Sequence, residues 1–335
     1  MKRKTFTPTD TMKKLLRASG SQNREEALTA TTELAKALEL PLRQGILNGD
    51  ILNGIFEPIR LEQSATSEFP LHFLKPGTED EYVAYTMPNH GYIPQRTVEG
   101  DYVMVPTYDT AAAIDWNLKY ARDARWDIVS SAMTVMEAQF VKKLNDDGWH
   151  TILSAAVDRN IVVLDSDASA GQFTKRLVSL LKLVMRRQGG GNSTSLNRGK
   201  LTDIYISPEG MEDIRNWNVD QVDEITRREI FVSDSDNALN RIFGVNLHDL
   251  DELGEGQEYQ KFFSNELSGS LPSGDVEICV GLDLRNRDSF VMPIREEVQI
   301  FPDPELHRQK RAGLYGWQES GFAVLDGRRV TLGSF

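Results

Sequence analysis

One cysteine, Cys279, occurs in 335 residues, so the chain forms no internal disulfide and holds no cysteine-rich metal site. No apolar run approaches the ~20 residues needed to cross a bilayer. The basic start Met1-Lys2-Arg3-Lys4 is followed by no hydrophobic segment, so it does not read as a secretory leader. The histidines, His72, His90, His150, His248 and His307, are scattered and have no metal-ligand spacing. Internal repeats and low-complexity segments are absent.

Motifs that carry chemistry are also missing. The loop Gly189–Lys200 ends in Gly199-Lys200, but Thr194 stands where a phosphate loop needs its first glycine. Leu201 stands where Ser or Thr would bind magnesium. Gly254-Glu255-Gly256 lacks the third glycine of a dinucleotide fingerprint, and no Gly-x-Ser-x-Gly elbow surrounds Ser270 or Ser273. Asp165-Ser166-Asp167 and Asp234-Ser235-Asp236 offer carboxylates to a hard cation, although loops commonly carry such residues. A metal-dependent hydrolase would rest on those two loops alone. No catalytic, cofactor-binding or metal residue is assigned, and the chain is not read as an enzyme.

What is present is an ordinary soluble composition, 40% hydrophobic and 26% charged, long enough for one discontinuous or two linked domains. The net charge of −12 argues against polyanion binding by the whole surface. Two stretches run the other way. Residues 1–20 carry six Lys or Arg against one Asp, and Lys175, Arg176, Lys182, Arg186 and Arg187 lie in a segment without an acid from Phe173 to Gln188. Each reads either as a solvated face or as a polyanion contact.

The longest regular signal runs from Asp109 to Asp147, without Gly or Pro, to a stop at Gly148. Leu118, Ala121, Ile128, Ala132, Met133, Met136, Phe140 and Leu144 recur at helical spacing. Ala111–Ala113 is ambiguous, so the secure helix starts near Asn117 or Ala124. Residues 1–20 read as an extended arm. Asn23 and Glu26 resemble a capping box, opening a helix that Pro41 ends. Beyond it, to Phe69, nothing is strongly periodic. Tyr82–Met87 and Tyr102–Val105 are short strand signals, and an isolated two-stranded ribbon is marginal in water. After the long helix come a helical continuation over Thr151–Val157, a strand at Ile161–Leu164 and an amphipathic helix over Phe173–Gln188. A strand at Leu201–Ile206 and a helix opened by Pro208 follow. Gly254–Gly274 reads as loop, then strands at Val276–Leu284, Phe290–Ile294 and Glu297–Phe301. Phe322–Leu325 and Arg328–Leu332 flank Asp326-Gly327, a hairpin signal. The class is α+β.

This order of segments resembles the major capsid protein of tailed phages, the Hong Kong 97-like fold. The likeness is carried by Asp101-Tyr102-Val103-Met104-Val105-Pro106 leading to Trp126-Asp127-Ile128-Val129, and by Ile204-Tyr205-Ile206-Ser207-Pro208-Glu209-Gly210-Met211. The ending Gly316-Trp317-Gln318-Glu319-Ser320-Gly321-Phe322-Ala323-Val324-Leu325-Asp326, then Arg328-Arg329-Val330, adds to it. The resemblance implies an N-terminal arm (1–68), an extended β-ribbon loop (69–108), a peripheral domain with a spine helix (109–159 and 295–335) and a mixed axial domain (160–294). It makes Asp109–Asp115 strand or loop and leaves Ala124–Asp147 as the helix.

The implied function is a shell of hexamers and pentamers around double-stranded DNA, in a virion assembled in the bacterial host cytoplasm. Implied partners are other copies of the chain, phage DNA held nonspecifically through phosphates, and scaffolding, portal and decoration proteins; no membrane is involved. Lys2, Arg3, Lys4, Lys75, Glu79, Asp80 and Glu81 are the expected inter-subunit contacts, and Lys175, Arg176, Lys182, Arg186 and Arg187 the expected DNA-facing set. Some members crosslink a lysine of the extended loop to a late asparagine. No Asn follows Asn286, so Lys75 is expected to form no such bond. The short arm implies a separate scaffold. An encapsulin-like cellular compartment shares the fold and is the alternative; the longer arm and loop favour the phage protein.

Overall fold

A computed structural model describes residues 9–47, 52–62, 65–73, 99–188, 199–217, 240–267, 269, 271, 277–285 and 287–335. The chain divides into two compact units. One holds Met1–Glu68, Met104–Gly148 and Val291–Ala323; the other holds Phe69–Val103, Trp149–Phe290 and Val324–Phe335. The expected contacts Lys2, Arg3, Lys4, Lys75, Glu79, Asp80 and Glu81, the strand signal Tyr82–Met87 and the loop Asp234–Asp236 lie outside the described residues.

The first unit begins with α1 (Asp10–Ser19), a helix where an extended arm was expected. The Thr9 hydroxyl accepts from the Met12 amide, Asp10 and Arg17 complement the helix dipole, and Leu16 and Ser19 are buried. Six cations in twenty residues had masked that helical phase. In α2 (Arg24–Leu47) the predicted face Ala27, Ala30, Leu34 and Leu38 is buried, but Pro41 does not end the helix. An interior proline costs about 3 kcal/mol. Burial of Leu42 and Ile46 beyond it, about 1.5–3 kcal/mol each, offsets that cost. Arg43 adds bonds to Glu39 and Glu297, both at 2.6 Å, and to the Val298 carbonyl at 2.9 Å.

After α3 (Leu52–Ile55) comes β1 (Glu57–Arg60), in a stretch read as having no periodicity. The second unit's β2 (Glu68–Phe73) and β3 (Glu99–Met104) form a two-stranded sheet. Next is β4 (Tyr108–Asn117), then α4 (Leu118–Arg122) and α5 (Trp126–Asp158). Asp109–Asp115, which the capsid resemblance made strand or loop, thus lies within a strand. Helix α5 runs straight through Gly148 and absorbs the continuation expected as a separate piece. A helical glycine costs under about 1 kcal/mol relative to alanine, whereas Trp149, Ile152, Leu153 and Ala156 are all buried.

Numbering the remaining elements in order gives β5 (Val162–Leu164), α6 (Lys175–Gln188), β6 (Asp203–Ile206), α7 (Pro208–Asn216), β7 (Asn240–Ile242) and β8 (Val245–Asp249). Then follow α8 (Glu258–Lys261), β9 (Ile278–Leu282), β10 (Phe290–Pro302), β11 (Arg311–Ser320), β12 (Ala323–Val324) and β13 (Val330–Ser334). The first unit's sheet has the order β1-β10-β11-β4, with β12 also on β10. The two expected strands Phe290–Ile294 and Glu297–Phe301 are one, β10, interrupted by register shifts between Ile294 and Gln299. Asp326-Gly327 closes no hairpin. The Asp326 side chain accepts from the Arg328 amide at 3.0 Å and starts a 3-10 turn, after which β13 enters the other sheet.

The second unit's six-stranded sheet has the order β5-β13-β9-β6-β8-β7. Its core is built from Leu177, Val178, Leu181 and Met185 of α6 with Met211 and Ile214 of α7, packed on Ile204, Ile206, Val245 and Leu247. Pro208 opens α7, as predicted, and Ser207 caps it by accepting from the Gly210 amide. The expected loop over Gly254–Gly274 instead contains α8 and a π-helical turn, Phe262–Glu266, because Tyr259 and Phe263 are buried.

Candidate functional site

The segment with the clearest functional signal, the basic helix, is α6. At about 100° per residue, Lys175, Lys182 and Arg186 fall within roughly 40° of one another, along the edge of the exposed face that borders the buried arc of Leu177, Val178, Leu181 and Met185. Arg176 and Arg187 lie roughly 100–120° round from that stripe, at the opposite edge of the exposed face. The structure gives these cations different surroundings. Arg176 bonds Asp167 and lies 3.5 Å from Asp165. Asp165 also accepts the Thr174 hydroxyl at 2.6 Å, and Thr174 in turn accepts the Leu177 amide at 3.2 Å. The first Asp-Ser-Asp loop therefore fastens the start of α6. Lys182 donates to the Phe243 carbonyl at 2.7 Å, while Arg186 and Arg187 are exposed.

Around the C-terminal half of α6 lies an open groove of about 760 Å³, lined by Lys182, Leu183, Arg186, Lys200, Phe243 and Arg285 among others. Phe243, 49% exposed, sits at φ 51° beside Gly244 at φ 75°, the turn from β7 to β8. Sequence reading flagged Lys200 only through a phosphate-loop pattern that failed, and Arg285 carried no signal at all.

Arg285 is anchored. Asp283 is fully buried; its carboxylate accepts from Arg285 Nε and Nη2, both at 3.0 Å, from Arg329 Nη1 at 2.6 Å and from the Lys200 amide at 2.9 Å. Burial pushes the Asp283 pKa up, but the Arg285 bonds, the Lys200 amide and Arg329 outweigh it and hold the group below its ordinary value. A second buried carboxylate, Asp203, is held low in the same way. There burial is outweighed by His248 at 2.8 Å, Thr202 and Asn246 at 2.9 Å. Carboxylates are crowded elsewhere in this unit. Burial, then Asp251, raises Asp249 against the pull of Arg215, and burial with Glu209 and Asp213 raises Glu277 against its bond from Ser207.

A different surface belongs to the two-stranded sheet. Tyr102 and Met104 of β3 are each 67% exposed, and Val103 is 38% exposed. Among the described residues its two strands pair only with each other.

No protein-family model matches the chain, and no curated protein matches it in sequence. Solved structures do. A Microbacterium phage Oxtober96 structure is similar over 85% of this chain and 90% of its own, with a TM-score of 0.55 and 13% identity. The capsid of Myoviridae phage XM1 is similar over 85% and 90%, at 0.52 and 11%. The capsid of a native GTA particle is similar over 85% and 89%, at 0.50 and 13%. At these identities what is shared is the fold: the chain has the α+β, Hong Kong 97-like fold of tailed-phage capsid subunits.

Proposed function

We propose that this chain is the major capsid protein of a tailed double-stranded DNA phage, assembling as hexamers and pentamers into an icosahedral shell. The observation that carries the reading is the fold, similar over 85% of this chain and about nine-tenths of phage capsid chains. The β2–β3 ribbon supports it. A two-stranded sheet is marginal by itself, and one bearing Tyr102, Val103 and Met104 toward solvent gains stability when a neighbouring subunit covers it. In this reading the ribbon is the extended loop, α5 the spine of the peripheral domain, and the six-stranded sheet with α6 and α7 the axial domain. The role is structural and needs no reacting centre. Contact with DNA is electrostatic and independent of base sequence, with Arg186 and Arg187 the solvent-facing candidates on α6. Scaffolding and portal proteins are the further partners of such a shell, and its place is the virion, built in the host cytoplasm.

Negative-stain microscopy of the purified protein tests the reading. Capsomers or closed shells are expected; discrete small particles would refute it. The contents of particles produced with the rest of the phage decide between a genome shell and an encapsulin-like compartment, by nuclease-protected DNA against enclosed protein.

A further inference from the structure

The six-stranded sheet is oppositely charged at its two ends. Strands β6 and β8 are parallel and β9 is antiparallel to β6. Residues that precede β6 and β8 therefore share an end with residues that follow β9. Those residues are Lys200, Phe243 and Arg285, and with Lys182 and Arg186 from the end of α6 they line the 760 Å³ groove. The same topology gathers at the other end Glu209 after β6, Asp249 at the end of β8, Asp251 after it and Glu277 before β9. The four residues of β6 separate the two ends by roughly 13 Å, at about 3.3 Å per residue.

Among the described residues each end carries an excess of one sign. No acid among the described residues lines the groove. Asp283 neutralises Arg285, which leaves the charges of Lys182, Arg186 and Lys200 in excess along the described lining. At the far end Glu209, Asp249 and Asp251 are exposed and crowd one another, with Arg215 as the cation that offsets Asp249. We propose that the basic groove receives the acidic end of the same sheet in a second copy of this chain, so that copies associate head to tail. Such a contact joins unlike surfaces and closes into a ring when the rotation between copies closes. The inference rests on the shell reading, which requires rings of this kind.

DNA is the competing occupant, and the groove fits it less well. Its wall includes Leu183 and Phe243, 41% and 49% exposed, which a protein surface covers and a phosphate backbone does not. Its charge complement is carried by the chain itself, at the equivalent strand ends. The pairing moves Arg186 from the DNA-facing candidates to the inter-subunit contact, while Arg187, which does not line the groove, stays available for phosphate.

Charge reversal tests the pairing. Lys200→Glu with Arg186→Glu makes both ends acidic; Glu209→Lys with Asp251→Lys makes both ends basic. Each double variant, checked by circular dichroism for native melting, is expected to lose at least tenfold in capsomer yield. A 1:1 mixture is expected to recover six-membered rings, in which the variants alternate, and not five-membered ones. Wild-type assembly is expected to weaken as salt rises from 0.1 to 1 M, where the screening length falls to about 3 Å. Unchanged assembly of both variants, or failure of the mixture to recover rings from folded components, overturns the proposal. If neither variant folds, salt-insensitive wild-type assembly overturns it. Normal shells that package less DNA would assign the groove to phosphate and overturn it as well. Absence of capsomers from the wild-type chain would refute the shell reading; wild-type capsomers beside unaffected variants would refute only the pairing.

Discussion

Replacing Asp283 by Asn should be among the most damaging isosteric changes in the chain. The side chain is fully buried and accepts five hydrogen bonds: three to Oδ2, from the Lys200 amide, Arg285 and Arg329, and two to Oδ1, from the Arg285 amide and Nε. An amide keeps the shape, removes the charge and turns an N–H₂ group toward N–H donors. Arg285 reaches solvent and can rehydrate, but Arg329 is nine-tenths buried and cannot. Breaking a buried pair from one side costs about 3–5 kcal/mol, which at about 2–4 °C per kcal/mol for a unit of this size lowers Tm by roughly 10 °C. Arg285→Ala removes only the exposed partner and should cost about 1 kcal/mol. The pH dependence gives a second readout. The folded pKa of Asp283 lies below its unfolded value near 3.9, so its stabilisation is complete above that value and is lost as pH falls through the folded pKa. The gap in Tm between wild type and Asp283→Asn should be full at pH 7 and shrink below about pH 4. Thermal unfolding followed by circular dichroism at both pH values measures it. Equal losses for Asp283→Asn and Arg285→Ala, or a gap that widens in acid, would show that the carboxylate does not hold this end of the sheet.

Three further outcomes follow from other parts of the structure. Cys279 is fully buried, and burial pushes its thiol up to about 12, so a thiol reagent at pH 8 should leave the native protein unmodified and titrate one group after denaturation; rapid native labelling would contradict this packing. A Cβ at Gly321 would stand 2.3 Å from the Pro106 carbonyl oxygen, so Gly321→Ala should cost about 1–3 kcal/mol through backbone displacement; an unchanged midpoint in urea melts would refute so close an approach. With no asparagine after residue 286, assembled shells should run on a denaturing gel as one band near 37.8 kDa; a ladder of covalent oligomers would show that Lys75 or another lysine finds a different partner.

Helices α6 and α7 were legible because each buries one periodic face, and α7 carries its own punctuation, Ser207-Pro208; β6, β9 and β13, buried along their whole length, showed as short apolar runs, whereas β7 and β8 gave no strand signal. Strand β11 was not read at all, and its register explains why. Its inward residues are Ala312, Leu314, Gly316, Gln318 and Ser320, while Tyr315 and Trp317 take the opposite face and pack against Phe301, with ring centroids 5.7 and 4.7 Å away. The usual alternation is inverted, so the larger apolar residues mark the wrong side. The same contact accounts for Ala111–Ala113, helix formers in a strand: Ala111 pairs with Trp317 and Ala113 with Tyr315, where a larger side chain would compete with the rings.

The basic groove divides along the same line. Lys182 and Arg186 share a face because they lie four residues apart on one helix, and any sequence reading finds them. Lys200 and Arg285 are separated by more than eighty residues. They meet because Asp203 pairs with Leu282 and Ile204 with Gly281 across β6 and β9, a register set by which apolar residues face α6 and α7. Nothing local to either residue encodes that choice. The acidic end arises from the same register read in the opposite direction, since Glu277 and Glu209 flank the other termini of β9 and β6. One strand pairing therefore collects both charge sets, and shifting it by one residue would turn Ile204 and Ile206 out of the core. Burial of those isoleucines is what fixes the two charged ends in place.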